Sequence, residues 1–216
     1  MENSEIFPHI DHTLLNPAAT SKQIAALCRE ALKYHTASVC IPPCFIRRAR
    51  KNFPELNICT VIGFPLGYST TNVKWFETKD AIECGANEID MVINQTDVKN
   101  GRFSIIEKEI MLIKEACEFN ILKVIIETCN LTEQEKIEMC RVVTSAGADY
   151  IKTSTGFGSM GADIRDIELF VKHIGDNVKI KAAGGIKTRE QIEMYLNAGC
   201  DRIGTSSAVK LLIEGD

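Results

Sequence analysis

Eight times along this chain a short apolar run gives way to an amphipathic stretch, and that alternation restricts the fold more than any other feature. The runs are "FPHIDHT", "ASVCI", "NICTVIGF", "NEIDMVIN", "LKVIIET", "DYIKTST", "VKIKAAG" and "DRIGTS". Each has strand length and strand-favouring residues. Between the first two, Ile24, Leu27, Cys28, Ala31 and Leu32 recur at i, i+3, i+4, i+7, i+8, one face of a helix. Thr20 to Gln23, Thr132 to Glu135 and Thr188 to Gln191 carry the spacing of capping boxes, in which side chains satisfy the first free amides of a helix. No Pro/Gly/Ser-rich linker and no low-complexity tract interrupts the pattern. It predicts a single α/β domain over residues 1–216, a (β/α)8 TIM barrel. A doubly wound open sheet is the alternative, because strand order is not readable from the sequence.

Composition removes several classes of function. The formal charge of −4 gives no basic footprint for nucleic acid and no polybasic membrane signal. No apolar run approaches the roughly 18 residues of a membrane span, and no secretory start precedes the first strand. The nine cysteines are scattered without a CxxC pair, the usage of free thiols in a reducing, cytoplasmic compartment.

A weak internal repeat points to the chemistry. "CGANEID", "AGADYIK" and "AGCDRIG" each close a helix on a glycine (Gly85, Gly147, Gly199) and enter a strand through Asn or Asp. Five residues beyond those glycines stand Asp90, Lys152 and Gly204. In a barrel these units are strands 4, 6 and 8, and alternate strands fill the same interior layer. Asp90 and Lys152 would then face inward at one height, with Gly204 leaving room beside them. A lysine in a buried strand needs a reason, since lysine is rarely buried unpaired. It could snorkel out at the strand end. However, Lys181 in "VKIKAAGG" would share the same barrel mouth. Repulsion between two amines would favour the neutral, nucleophilic form of one, the form that attacks a carbonyl. Asp90 is read either as their structural counter-ion or as a proton shuttle.

Glycines and hydroxyls follow the last three strands, in "STG" at 154–156, "GG" at 184–185 and "TSS" at 205–207. On consecutive loops of a barrel they suit a phosphate. Four histidines (His9, His12, His35, His173) form neither HxH nor HExxH, and no GxGxxG or Walker motif is present, so neither metal nor nucleotide cofactor is expected. Cys40 and Cys44 of "VCIPPC" are read as packing residues before reactive ones.

"IDHTLL", "VCIPP", "VIGFPLG", "EIDMVIN", "DYIKTSTGF", "IKAAGGI" and "RIGTSS" resemble, in order and from about residue 10 to 207, the signatures of the deoxyribose-phosphate aldolase family of class I aldolases. The resemblance implies a cofactor-free (β/α)8 enzyme for phosphorylated sugars and aldehydes, often a homodimer. It would cleave 2-deoxy-D-ribose 5-phosphate to acetaldehyde and D-glyceraldehyde 3-phosphate. By motif, Lys152 would be the Schiff-base lysine, Lys181 the second lysine and Asp90 the acid/base carboxylate. Asp11, Thr13 and Cys40 would lie along the substrate, and Thr155, Gly156, Gly184, Gly185, Ser206 and Ser207 would cradle phosphate. Some relatives add a tail with a terminal tyrosine that aids proton transfer. This chain ends "LLIEGD" with no tyrosine after Tyr195, so trimming its last few residues is expected to cost little turnover. Two other readings stay open: a Schiff-base aldolase for a different sugar phosphate, and a non-catalytic sugar-phosphate-binding barrel whose Lys152 forms no imine.

Overall fold

Pro8 decides where the first strand begins. Its fixed φ suits the first turn of a helix, and its missing N–H is a liability in a buried ladder. Phe7–His9 therefore form a 3-10 turn, and strand β1 is Ile10–Thr13 rather than the longer "FPHIDHT" of the sequence reading. The computed structural model describes residues 1–214. Seven more strands follow: β2 (Ser38–Cys40), β3 (Ile58–Ile62), β4 (Glu88–Val92), β5 (Ile121–Ile125), β6 (Tyr150–Lys152), β7 (Lys179–Ala183) and β8 (Arg202–Thr205). Every strand pairs in parallel with its sequence neighbours, and β8 returns to β1, so the sheet closes into a barrel. That closure removes the open-sheet alternative.

The helices that cover the barrel are α1 (Asn3–Ile6), α2 (Ser21–Tyr34), α3 (Ile46–Asn52), α4 (Thr71–Cys84), α5 (Gln95–Lys99), α6 (Phe103–Cys117), α7 (Glu133–Ser145), α8 (Ile164–His173) and α9 (Arg189–Asn197). All three expected capping boxes form, on Thr20, Thr132 and Thr188. Helix α2 buries Ile24, Leu27, Cys28 and Ala31, the face read from spacing. The three repeat glycines hold the left-handed φ that the repeat demanded, +109° at Gly85, +73° at Gly147 and +110° at Gly199. After β8 the chain turns into a five-residue π-helix, Lys210–Glu214. Gly215 and Asp216, the end of the tail discussed above, lie outside the described residues. No helix among the described residues is long and apolar enough to cross a membrane.

Strand alternation divides the molecule into two environments. Ile89, Met91, Val124, Ile151, Ile180 and Ile203 belong to the apolar layer under the helices. The interleaved residues meet inside the barrel, and many are charged: Asp11, Glu88, Asp90, Lys123, Lys152, Lys181 and Arg202 are all buried. Barrel interiors are usually filled by branched apolar side chains. A polar filling survives burial only when each charge is paired, and here the pairing is what builds the site.

Candidate active site

Three amines and one carboxylate form its centre. Asp90 Oδ2 accepts from Lys152 Nζ at 2.7 Å and from Lys181 Nζ at 2.6 Å. Its Oδ1 accepts from Lys123 Nζ at 2.9 Å and from the Cys59 thiol at 3.2 Å. Asp90 and Lys152 meet as their equal five-residue offsets led one to expect, and Lys181 joins them from the neighbouring strand, but the two lysines do not simply face each other. The carboxylate lies between them. Burial opposes the charge of Lys181, yet Asp11 (2.5 Å) and Asp90 outweigh it and hold that amine above the ordinary lysine range. Burial likewise opposes the Asp90 charge, and Lys123, Lys152 and Lys181 together keep its carboxyl well below the usual carboxylate range. Gly204 does make room: a Cβ there would stand 3.2 Å from Lys181 Cε.

Below this centre lies a second charged layer. Asp11 accepts from Ser38 Oγ at 2.6 Å and from Arg202 Nη1 at 2.5 Å, and Glu88 lies 2.5 Å from Lys123 Nζ. Lys123, Glu88 and Arg202 were not singled out from the sequence. Their signal was the same as that of Lys152, a charged residue inside a strand run.

Above the centre opens a cavity of about 450 Å³. Lys152 reaches its floor, and Thr13, Thr155, Gly156, Gly184, Gly185, Ser206 and Ser207 line its walls. Asp90, Lys181, Asp11 and Cys40 do not line it. Asp90 is bonded to Lys152, Lys181 is the register partner of Lys152 on the adjacent strand, and Asp11 pairs with Lys181, Ser38 and Arg202. Cys40 belongs to a small buried cluster with Cys59 and Val61, under Leu15 and Phe64. The cavity also has a cation that the sequence reading passed over, the exposed Lys187, in the loop just after the glycine pair.

Three backbones meet at the cavity wall. A Cβ on Gly161 would come within 2.1 Å of the Gly184 carbonyl oxygen, and one on Gly184 would lie 3.3 Å from Gly156 Cα. Only glycine permits that approach, and Gly184 itself has φ +85°. Among the described residues, no backbone hydrogen bond engages the N–H groups of Gly184, Gly185 or Ser206. Such N–H groups beside a lysine suit an oxyanion.

Cys40, Cys59 and Asp90 bring donor atoms within 4.8 Å of one another, a spacing that could hold a metal. The surroundings oppose it. Burial pushes the Cys59 thiol well up, and three ammonium groups already surround the carboxylate.

Residues 6–206 match the profile of the DeoC/LacD family of aldolases. The chain belongs to this family. Over 213 residues it is 60% identical to deoxyribose-phosphate aldolase of Clostridium botulinum (strain Alaska E43 / Type E3), covering 98% of this chain and 96% of that one. The same enzyme of Streptococcus pyogenes serotype M4 is 53% identical over 98% of this chain and 96% of its own. The tetrameric deoxyribose phosphate aldolase of Aeropyrum pernix superposes with a TM-score of 0.90 at 30% identity, over 98% of this chain and 91% of that one. Family membership and barrel closure therefore agree on an aldolase scaffold with its cavity at the carboxyl ends of the strands.

Proposed function

We propose that this chain, as one catalytic domain over residues 1–216, reversibly cleaves 2-deoxy-D-ribose 5-phosphate to acetaldehyde and D-glyceraldehyde 3-phosphate through an imine on Lys152. The observation that carries this is the placement of one amine, Lys152, at the floor of an oxyanion-suited cavity, with its Nζ 2.7 Å from a carboxylate shared with a second lysine.

The free-base form of Lys152 adds to the aldehyde carbon C1 of the open-chain sugar, and loss of water gives an iminium. That cation accepts the electron pair of the C2–C3 bond once the C3 hydroxyl loses its proton. Bond cleavage releases D-glyceraldehyde 3-phosphate and leaves a two-carbon enamine. Protonation at C2 and hydrolysis free acetaldehyde and Lys152. Asp90 shares one oxygen between Lys152 and Lys181, so it can take a proton from one amine while Lys181 stays cationic and stabilises the developing charge. Gly156, Gly184, Gly185, Ser206 and Lys187 hold the phosphate, and Thr13 faces the sugar. Binding energy from that remote group orients the reacting carbons.

The nine cysteines are all free, which supports a cytoplasmic setting. A homodimer is the expected assembly.

Incubation with 2-deoxyribose 5-phosphate followed by borohydride should leave a reduced two-carbon adduct on Lys152 alone, read by peptide mass mapping. An adduct formed only from another sugar phosphate would keep the mechanism and change the substrate, and no adduct on any lysine would sink the imine. A second expectation concerns Lys187. Lys187→Met should raise KM for the phosphorylated sugar roughly tenfold, the size of one charge-assisted contact, with kcat nearly unchanged. Steady-state kinetics checks this, and an unchanged KM would remove Lys187 from the phosphate site.

A further inference from the structure

Glu127 is a buried carboxylate that the mechanism above does not use. It sits just beyond β5, 3% exposed, in the left-handed region at φ +53°, which non-glycine residues adopt at a cost. Both of its oxygens are committed to one residue. Oε1 accepts the Thr155 backbone N–H at 3.1 Å, and Oε2 accepts the Thr155 hydroxyl at 2.5 Å. The Thr155 Oγ1 in turn accepts the Phe157 N–H at 3.0 Å. Both donors of Thr155 are thereby spent inside the protein. Thr155 lines the cavity, but it has no N–H or O–H left for an anion, in contrast to the phosphate-cradle role expected from its motif.

The residues around Glu127 reinforce the same contact. The Ile126 N–H donates to the Lys152 carbonyl and the Thr128 N–H to the Thr153 carbonyl. A Cβ on Gly158 would lie 3.2 Å from Glu127 Cδ. The segment after β6 therefore passes closely over the Glu127 side chain before Gly156 and Gly161 pack on Gly184. A shift of a few tenths of an ångström in Thr155 would move Gly156 against the glycine pair that faces the phosphate.

We propose that Glu127 is a positioning residue for anion recognition: by holding both donors of Thr155 it fixes Gly156 and Phe157 against Gly184, and so sets affinity for the phosphorylated end of the substrate without touching the reacting carbons. This rests on the reaction proposed above. It also explains how a carboxylate is tolerated close to an anion pocket, since both of its oxygens are occupied by the two Thr155 donors.

The test compares two sugars, 2-deoxyribose 5-phosphate and unphosphorylated 2-deoxyribose. Glu127→Ala should raise KM for the phosphorylated sugar about tenfold or more, the loss expected for a charge-assisted hydrogen bond, and leave kcat within about threefold. Its kcat/KM for unphosphorylated 2-deoxyribose should stay at the wild-type level. Thr155→Val keeps the N–H bond and deletes the O–H bond, so it should give a smaller KM rise of the same kind, and it carries the test alone if Glu127→Ala fails to fold. The double variant should be no worse than Glu127→Ala, because the two residues form one unit. Equal losses on both sugars, or an unchanged KM, would overturn the assignment. Calorimetric titration with inorganic phosphate separates this from the reaction itself. If the wild type cleaves neither sugar yet binds phosphate more tightly than both variants, the loop assignment stands and the proposed reaction falls. If wild type and variants bind phosphate equally, the loop assignment falls.

Discussion

Lys152→Met is expected to lower turnover by about four orders of magnitude or more, the scale seen when a covalent nucleophile is removed from other enzymes, while the protein stays folded. The first half follows from chemistry: without an imine there is no cationic electron sink for the C2–C3 bond, and neither Asp90 nor Lys181 can supply one. The second half follows from the charges inside the barrel. Four cations, Lys123, Lys152, Lys181 and Arg202, face three carboxylates, Asp11, Glu88 and Asp90. Methionine in place of Lys152 removes the one of these four cations that lines the cavity and leaves Asp90 still paired with Lys123 and Lys181. Thermal melts should therefore match the wild type within a few degrees, and borohydride with acetaldehyde should trap nothing. Turnover within tenfold of the wild type would remove Lys152 from the covalent role. A collapse of the fold would show instead that the amine serves the barrel interior first.

Much of this arrangement is readable from the chain because two periodicities coincide. The strand period places every second residue inside, and the glycine-to-strand repeat puts Asp90 and Lys152 at equal offsets on β4 and β6, so their meeting at 2.7 Å follows from spacing. Capping boxes are legible for a similar reason, since the whole device lies within four residues. What escaped depends on contacts between loops. Lys123 sits near the start of β5, where a lysine reads as a stem reaching for water; only closure of the barrel shows that it reaches Asp90 and Glu88 instead. Glu127 follows "KVII" and reads as more strand, but its backbone turns left-handed and ends the ladder there. Thr155 matches a phosphate motif by position, yet its donors face Glu127. Cys40 lies on an inward strand position, and Leu15 and Phe64 cover it from above, a fact fixed by loops that sequence spacing does not place.

Asp90→Asn is expected to cost both activity and stability, and the two losses have separate origins. Asparagine keeps the shape but turns one acceptor oxygen into an N–H donor aimed at amines that are themselves donors. Three buried ammonium groups then lose their shared counter-ion, a change on the order of 3–5 kcal/mol when one partner of a buried charge network is removed. Turnover should fall by about 10²–10⁴, the range attributed to a positioned general acid or base, because no carboxylate remains to pass protons between Lys152 and Lys181. The pH dependence of stability distinguishes the charge from the shape. Burial opposes the Asp90 charge and the three lysines favour it more strongly, so its folded value lies well below that of an unfolded aspartate near 3.9. A depressed carboxylate contributes stability that is fully present above the unfolded value and is lost as pH falls through the folded one. Denaturant titrations of wild type and Asp90→Asn should therefore differ by a constant amount from pH 5 to 8 and converge only in stronger acid. Lys181 works in the opposite direction. Its folded value is raised by Asp11 and Asp90 against the cost of burial, so its contribution is complete below the unfolded lysine value near 10.4 and is lost as pH rises through the higher folded one. In the variant only Asp11 still faces Lys181, and its alkaline unfolding should begin at lower pH. A variant as stable as the wild type at pH 7 would show that the Asp90 charge does not hold the barrel interior together.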